Sequence, residues 1–222
     1  MEFLVVVGVA VAATVALMVL RRARQRRIAM RRLLAERGWS SVRDGETTII
    51  TPADNAWALR MTQSFAAQQN SSTRIVTTTW SAASPCSSGG AVIAGPTPAE
   101  PMRQLAVQLI GSIPPDSKVG GWLGLARVGN GEPLRHLPSV DARLLALATG
   151  ASVPLGSLSG VADAVQSWTT SYSSERAQPT ITFDSRGVLV RVRVDVLKSV
   201  DQLVAFVDLA KSCAASLATS AR

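Results

Sequence analysis

The sequence predicts an α+β protein: an N-terminal transmembrane helix that continues into a basic stem, followed by a mostly antiparallel sheet with helices packed on one face. Three patterns predict this class. An uncharged apolar run lies near the N-terminus, later parts contain short runs rich in β-branched residues, and the C-terminal third has helical apolar spacing. We divide the chain into a transmembrane anchor at 1–20, a cytoplasmic stem helix at 21–38 and a cytoplasmic α+β domain at 39–222.

The predicted anchor is the run from Phe3 to Leu20, which has eighteen consecutive residues without a charged side chain. At about 1.5 Å per residue such a helix covers about 27 Å, enough for a thin hydrocarbon core. A buried core helix is the alternative, but a terminal run that is apolar all round favours a membrane span. Glu2 precedes the run and arginines follow it, the reverse of a signal peptide. We therefore expect a retained single-pass anchor in the inner (plasma) membrane, with the N-terminus outside and the domain cytoplasmic.

Arginines dominate the predicted stem. Residues 21–37 contain eight arginines and one glutamate, whereas residues 38–222 contain fifteen basic and thirteen acidic side chains, so most of the net charge of +8 belongs to the stem. A nucleic-acid-binding domain usually spreads its basic groups over one face, so we expect no nucleic acid here. We expect the stem instead to contact a bilayer with anionic headgroups, with a merely solvated helix as the alternative. The predicted lipid-contacting residues are Arg21, Arg22, Arg24, Arg26, Arg27, Arg31 and Arg32.

Small residues recur along one side of the predicted anchor, where Gly8, Ala12 and Ala16 stand four residues apart. Small side chains let two membrane helices approach closely, so this face is a candidate helix–helix contact in a homodimer. At the other end of the stem, Gly38 is expected to stop the helix, because glycine readily adopts the left-handed conformation that follows a helix. Ile28, Leu33 and Leu34 form the sparse apolar side of the stem. Trp39, which follows, is expected in the core rather than among headgroups.

Short β-like runs open the domain, at 47–51, 56–64 and 73–82, with a polar hairpin connector between the last two and a further short strand in "AVIAG". A helix is predicted over 97–110, where Thr97, Pro98 and Glu100 make a capping box and Leu105 and Leu109 belong to its apolar stripe. Residues 115–158 are hard to assign; "GGWLGLARVG" fits a bent strand, and "DARLLALAT" fits either a helix or a strand.

The C-terminal third has clearer patterns. Ser159 is a candidate cap for a short helix whose apolar face includes Val161 and Trp168. "TITFDSRGVLVRVRVDV" predicts a hairpin that turns at Gly187, with valines on one face and charged residues on the other, as in a sheet covered on one side only. Ser199 and Gln202 then form a capping box that opens a long amphipathic helix, which we expect to lie across the sheet.

The sequence contains no recognisable catalytic or metal-binding constellation. His136 is the single histidine and has no acidic or nucleophilic partner at a useful spacing. "GSLSG" has Leu158 where a nucleophile elbow needs serine, and no phosphate-binding loop is present. Cys86 and Cys213 are far apart and match no metal motif, so free thiols in a reducing compartment are expected. We expect no cofactor, no metal and no enzymatic activity.

Three segments, "LLAERGW" (33–39), "PTITFDSRGVLVRV" (179–192) and "DQLVAFVDLA" (201–210), resemble a group of uncharacterised actinobacterial proteins. The resemblance implies a single N-terminal membrane helix with a cytoplasmic α+β domain and carries over no catalytic residue. The leading hypothesis is a membrane-anchored protein whose domain binds an unidentified protein partner, in a role compatible with envelope association or phage exclusion. The alternatives are a membrane-associated small-ligand-binding domain or hydrolase of unknown substrate and, third, nucleic-acid binding through the stem.

Overall fold

The computed structural model describes residues 2–68, 71–83, 90–94, 105, 108–109, 112–114, 117, 120, 135–137, 141–149 and 158–220. Their side chains are described too, except at 2–13, 66–68, 71–73, 90–94, 135, 149 and 218–220. Within these residues the chain is α+β, as predicted, with one antiparallel sheet, whose strand order differs from the order in the chain, and helices packed against it.

Nine strands form the described sheet, and every neighbouring pair is antiparallel, in the order β1-β2-β3-β4-β9-β8-β5-β7-β6. The strands are β1 (Trp39–Asp44), β2 (Thr47–Pro52), β3 (Trp57–Gln68), β4 (Ser71–Ala82), β5 (Gly90–Ala94), β6 (Arg135–His136), β7 (Leu145–Thr149), β8 (Thr180–Asp184) and β9 (Gly187–Val192). The helices are α1 (Glu2–Glu36), α2 (Ser159–Ser171) and α3 (Val200–Ser220), with short 3₁₀ helices at Glu175–Ala177 and Val196–Lys198.

The strands predicted at 47–51, 56–64, 73–82 and in "AVIAG" are confirmed. β3 and β4 run on into the predicted polar connector, where Gln68 still pairs with Ser71. "DARLLALAT" contributes β7, so the strand alternative was the right one for that segment. Its β-bridges to β5 and β6 settle the choice, since local pattern alone does not separate a short buried strand from a helix.

The core lies between α2, α3 and one face of the sheet. Trp57, Leu59 and Trp80 project from β3 and β4 to this face, because alternate residues of a strand point the same way. Trp39 packs edge-on against Trp57, with ring centroids 5.1 Å apart, so it is a core residue as predicted. Phe206 of α3 meets Trp168 of α2 in the same way at 5.6 Å. Burial of these large rings against the sheet fixes both helices.

The predicted hairpin of β8 and β9 is confirmed, with Gly187 at φ 115° in its turn. Val188, Val190 and Val192 are buried on the helix-covered face. The expectation of a sheet covered on one side only is wrong for β8, whose five residues are all buried, including Thr180 and Thr182. Because alternate residues of a strand point to opposite faces, both faces of β8 are covered, which its own sequence pattern does not indicate.

The helix ends follow local rules. α1 stops two residues before Gly38, which has φ 64°, and Arg37 N–H donates to the Leu33 carbonyl. At the start of α3, Gln202 N–H donates to Ser199 Oγ at 3.1 Å, as the capping box predicts. α2 differs from its prediction. Leu158 occupies its cap position and Ser159 is already the first helical residue.

Two predicted apolar faces are only partly buried. In the stem, Leu33 is buried and Leu34 half-buried, but Ile28 is exposed, because the stem meets the domain only near its C-terminal end. In the predicted helix 97–110, the described residues 105, 108 and 109 are helical, and Leu105 and Leu109 are exposed. The rest of that helix, and all of "GGWLGLARVG" except its first residue, Gly120, lie outside the described residues.

The predicted membrane span gains no support from the fold. The part of the chain that the structure describes holds no helix that is both long enough and apolar enough to span a bilayer. In α1 the described side chains begin at Thr14, so most of the run from Phe3 to Leu20 lies outside them. The transmembrane anchor at 1–20 therefore stays a prediction.

Candidate membrane-facing basic site

The seven predicted lipid-contacting arginines all lie on α1, and all seven are exposed. Because α1 is one helix from Glu2 to Glu36, the arginines continue along the same helix as the apolar run that precedes them. Leu33 and the half-buried Met30 and Leu34 attach the end of this helix to the core. The stem is thus joined to the domain at one end and leaves its cationic side chains open to solvent.

A groove of about 760 Å³ runs between α1, the start of β1 and the 3₁₀ helix at Val196–Lys198. We call it the stem groove. Arg26, Arg27 and Arg31 line it together with Lys198. Arg27 and Arg31 are four residues apart and so share one face of the helix. Its apolar lining is supplied by Met30, Leu34, Trp39 and Leu197.

The stem groove is strongly cationic, because the described residues that line it include four positively charged side chains and no carboxylate. The carboxylate of Glu36 bonds instead to Arg32 Nε at 2.7 Å, on another side of the stem. Arg37 lies over the ring of Trp39, with its guanidinium carbon 5.9 Å from the ring centroid. A surface of this kind attracts phosphate groups, with guanidinium forks for their oxygens and an apolar wall beside them.

Only three of the seven predicted lipid-contacting arginines line the stem groove. Arg21, Arg22, Arg24 and Arg32 do not line the stem groove. Of the predicted helix–helix contact, Ala16 is exposed, whereas the side chains of Gly8 and Ala12 lie outside the described residues. Sequence reasoning missed Lys198, because a residue 167 positions after Arg31 reaches the stem only through the fold.

His136 gains no catalytic surroundings from the fold. It lies half-buried on β6, where it pairs with Leu147 of β7. Across the described residues, no group of three or more His, Cys, Asp and Glu side chains is arranged to hold a metal ion. Cys213 is a free, fully buried thiol on α3, and burial raises its pKa to about 12, so it is a poor nucleophile. Cys86 lies outside the described residues.

One exposed ion-pair cluster has a structural role. Arg143, just before β7, bonds with Nη2 to Asp141 at 2.7 Å and with Nη1 to Asp163 of α2 at 2.7 Å and to Gln166 at 2.9 Å. The hydrogen bonds from Arg143 lower the pKa of Asp141 to about 2. The cluster connects the loop before β7 to α2. It was not visible in the sequence, since its members are up to 25 residues apart.

No known family, curated protein or solved structure matches this chain. The resemblance to actinobacterial membrane proteins therefore stays a prediction.

Proposed function

We propose that this chain is a single-pass membrane-anchored protein, with its N-terminus outside and its α+β domain on the cytoplasmic side, and that the domain acts by binding a protein partner. One observation carries the proposal. Eighteen uncharged residues and then seven arginines follow one another along a single helix that ends packed against the domain. The order of apolar and cationic segments is that of an anchor held by positive charge on its cytoplasmic flank.

Distances along α1 support lipid contact. At about 1.5 Å per residue, Arg21 to Ala23 lie within about 5 Å of the end of the apolar run, which is headgroup depth. Arg26 and Arg27 follow at about 9 to 11 Å, about one Debye length at physiological salt. Each arginine near an anionic surface contributes about 1 kcal/mol of attraction. The stem groove would thus open toward the headgroups, and the domain would be held close to the bilayer.

The edge strand β1 supports a protein partner. In the described sheet β1 pairs on one side only, with β2, and five of its six residues are exposed. Val42 on this strand is 61% exposed. Exposed edge strands with an apolar side chain are common sites for the addition of a partner's strand. The proposal includes no enzymatic activity, and it leaves a homodimer through Gly8, Ala12 and Ala16 as an additional contact within the membrane.

The orientation is tested with a reporter fused after Arg222 that is active only in the cytoplasm. The fusion should be active and should fractionate with membranes. In one variant, lysines are added before Phe3 and five arginines are changed to Gln: Arg21, Arg22, Arg24, Arg26 and Arg27. Its membrane orientation should invert, with loss of reporter activity. A matched control with domain arginines such as Arg43 and Arg60 changed to Gln should keep it. Periplasmic activity of the wild-type fusion, or its recovery as a soluble protein, would overturn the proposal.

The partner contact is tested with a photocrosslinking residue placed at Val42 in the full chain in native membranes. A discrete adduct should form from Val42 and not from Ser173, an exposed polar position after α2. If the two positions give the same adducts or none, binding through the β1 edge is refuted, and the orientation result is unaffected.

A further inference from the structure

A second concave site lies between the start of β4, the segment that follows β9 and the 3₁₀ helix at Glu175–Ala177. We call it the polar cleft; its volume is about 260 Å³. Four cationic side chains converge on it: Arg74 from β4, Arg176 from the first 3₁₀ helix, and Arg193 and Lys198 from the segment after β9. Val76, Val194, Asp195 and Gln202 complete its lining.

The charge of the polar cleft is unusual for this domain. Among the described residues that line it are four cations and one carboxylate, whereas residues 38–222 as a whole have fifteen basic and thirteen acidic side chains. Asp195 is used locally, since its Oδ1 accepts from Leu197 N–H at 3.1 Å and its Oδ2 lies 3.9 Å from Arg74 Nη2. The fold thus concentrates positive charge in one small cleft of a nearly neutral domain. Clustered like charges repel, and an anion in the cleft would offset that repulsion.

Short backbone contacts hold the polar cleft in shape. Arg193 N–H donates to the Arg176 carbonyl at 2.8 Å, which ties two of the cationic positions together. The buried Thr78 hydroxyl donates to the Val194 carbonyl at 2.6 Å and fixes the chain between Arg193 and Asp195 on β4. The cations therefore extend from backbone that is already positioned, which lowers the entropic cost of binding.

We propose that the polar cleft binds a phosphate-bearing group with two or more negative charges, such as a phosphomonoester or a diphosphate. Guanidinium groups match phosphate oxygens with paired N–H donors, and lysine adds a point charge. A volume of about 260 Å³ is below the usual range of about 300–1,000 Å³ for drug-sized ligands, which suits a compact anion. The assignment does not rest on the proposed function, because neither the anchor nor the stem enters it.

The phosphate could come from a soluble molecule or from a lipid headgroup, since Lys198 lines both the polar cleft and the stem groove. Two arms separate these sources. In the first, inorganic pyrophosphate is titrated calorimetrically into the full chain in phosphatidylcholine nanodiscs. In the second, the same protein binds vesicles that contain phosphatidic acid, a phosphomonoester lipid, or phosphatidylglycerol, a phosphodiester of lower charge.

The variants are matched in charge. The double variant Arg74→Gln, Arg176→Gln should weaken binding of the phosphate probes at least about tenfold. The control double variant Arg43→Gln, Arg60→Gln loses the same charge elsewhere on the sheet and should change the affinity less than about threefold. Gln202→Glu places a carboxylate in the cleft at a position where glutamate completes the capping box of α3. This variant should fold and should also lose binding.

Cleft-dependent binding of pyrophosphate supports the soluble source, and cleft-dependent preference for phosphatidic acid supports the headgroup source. The proposal is overturned if the chain binds neither probe. It is also overturned if Gln202→Glu binds as well as the wild type, or if both arginine pairs lose affinity equally, which would indicate unspecific attraction. The orientation test of the proposed function is independent of all these outcomes.

Discussion

The hydroxyl of Thr78 makes a bond that holds the end of β9 against β4, and its removal gives a sharp test of the fold. Thr78 is fully buried, and its Oγ1 donates to the carbonyl of Val194, 116 residues away, at 2.6 Å. Ladder pairing between β4 and β9 ends at Thr78 and Val192, so the hydroxyl serves a carbonyl just beyond the ladder. Thr78→Val keeps the shape of the side chain and removes the donor.

The expected cost follows from the burial of this bond. Loss of one partner leaves the other polar group unsatisfied, which costs about 1–3 kcal/mol, and the half-buried position of Val194 places the value in the lower part of that range. The free energy of unfolding is measured by urea titration of the full chain in nanodiscs, with tryptophan fluorescence as the signal. For a chain of this size, each 1 kcal/mol lowers Tm by about 2–4 °C.

Thr79→Val is the matched control. Thr79 stands next to Thr78 on β4, points to the other face and pairs with Arg60 and Arg191 in register. Its substitution should change the free energy of unfolding by less than about 0.5 kcal/mol. If Thr78→Val is no more destabilising than Thr79→Val, the hydrogen bond to Val194 makes no net contribution to stability.

Three further predictions concern other parts of the domain. Burial raises the pKa of Cys213 from 9.0 to about 12, so the contribution of the neutral thiol to stability is complete below about pH 9 and is lost as the pH rises. In urea titrations at rising alkaline pH, the free energy of unfolding of the wild type should fall by up to about 1.4 kcal/mol per pH unit more than that of Cys213→Ala. Parallel curves for the two proteins would contradict this. Because Arg143 lowers the pKa of Asp141 from 3.8 to about 2, the midpoint of Asp141 in an NMR titration should lie near 2 in the wild type and move toward 3.8 in Arg143→Gln. An unchanged midpoint in the variant would show that Arg143 is not the cause of the low pKa. In Gly160→Ala the new Cβ would lie 2.5 Å from Ser216 Oγ. The stability gain of about 1 kcal/mol from the higher helix propensity of alanine should therefore appear only when Ser216→Ala is added. Additive effects of the two substitutions in a double-mutant cycle would be evidence against this contact.

Local chemistry made several elements predictable. The stop of α1 near Gly38, the hairpin turn at Gly187 and the cap of α3 by Ser199 each depend on a few neighbouring residues, and each is confirmed. Where the deciding contacts are distant, prediction was weaker. β7 was ambiguous between helix and strand, since only its pairing with β5 and β6 makes it a strand. The full burial of β8 was missed because it depends on what covers both faces of the strand, and a strand's own pattern does not record that.

The candidate sites divide in the same way. The stem arginines were found in the sequence because they are contiguous, and a helix of known rise fixes their spacing. The polar cleft was not found, because Arg74, Arg176, Arg193 and Lys198 are isolated in the chain and each alone is an ordinary surface cation. The sequence by itself determined the α+β class, the end of α1, the start of α3, the turn at Gly187 and the position of the basic block, because each depends on short-range contacts. The strand order and the meeting of Arg74 with the other three cations were decided by the tertiary structure alone, because they depend on pairing between segments far apart in the chain, such as β4 with β9.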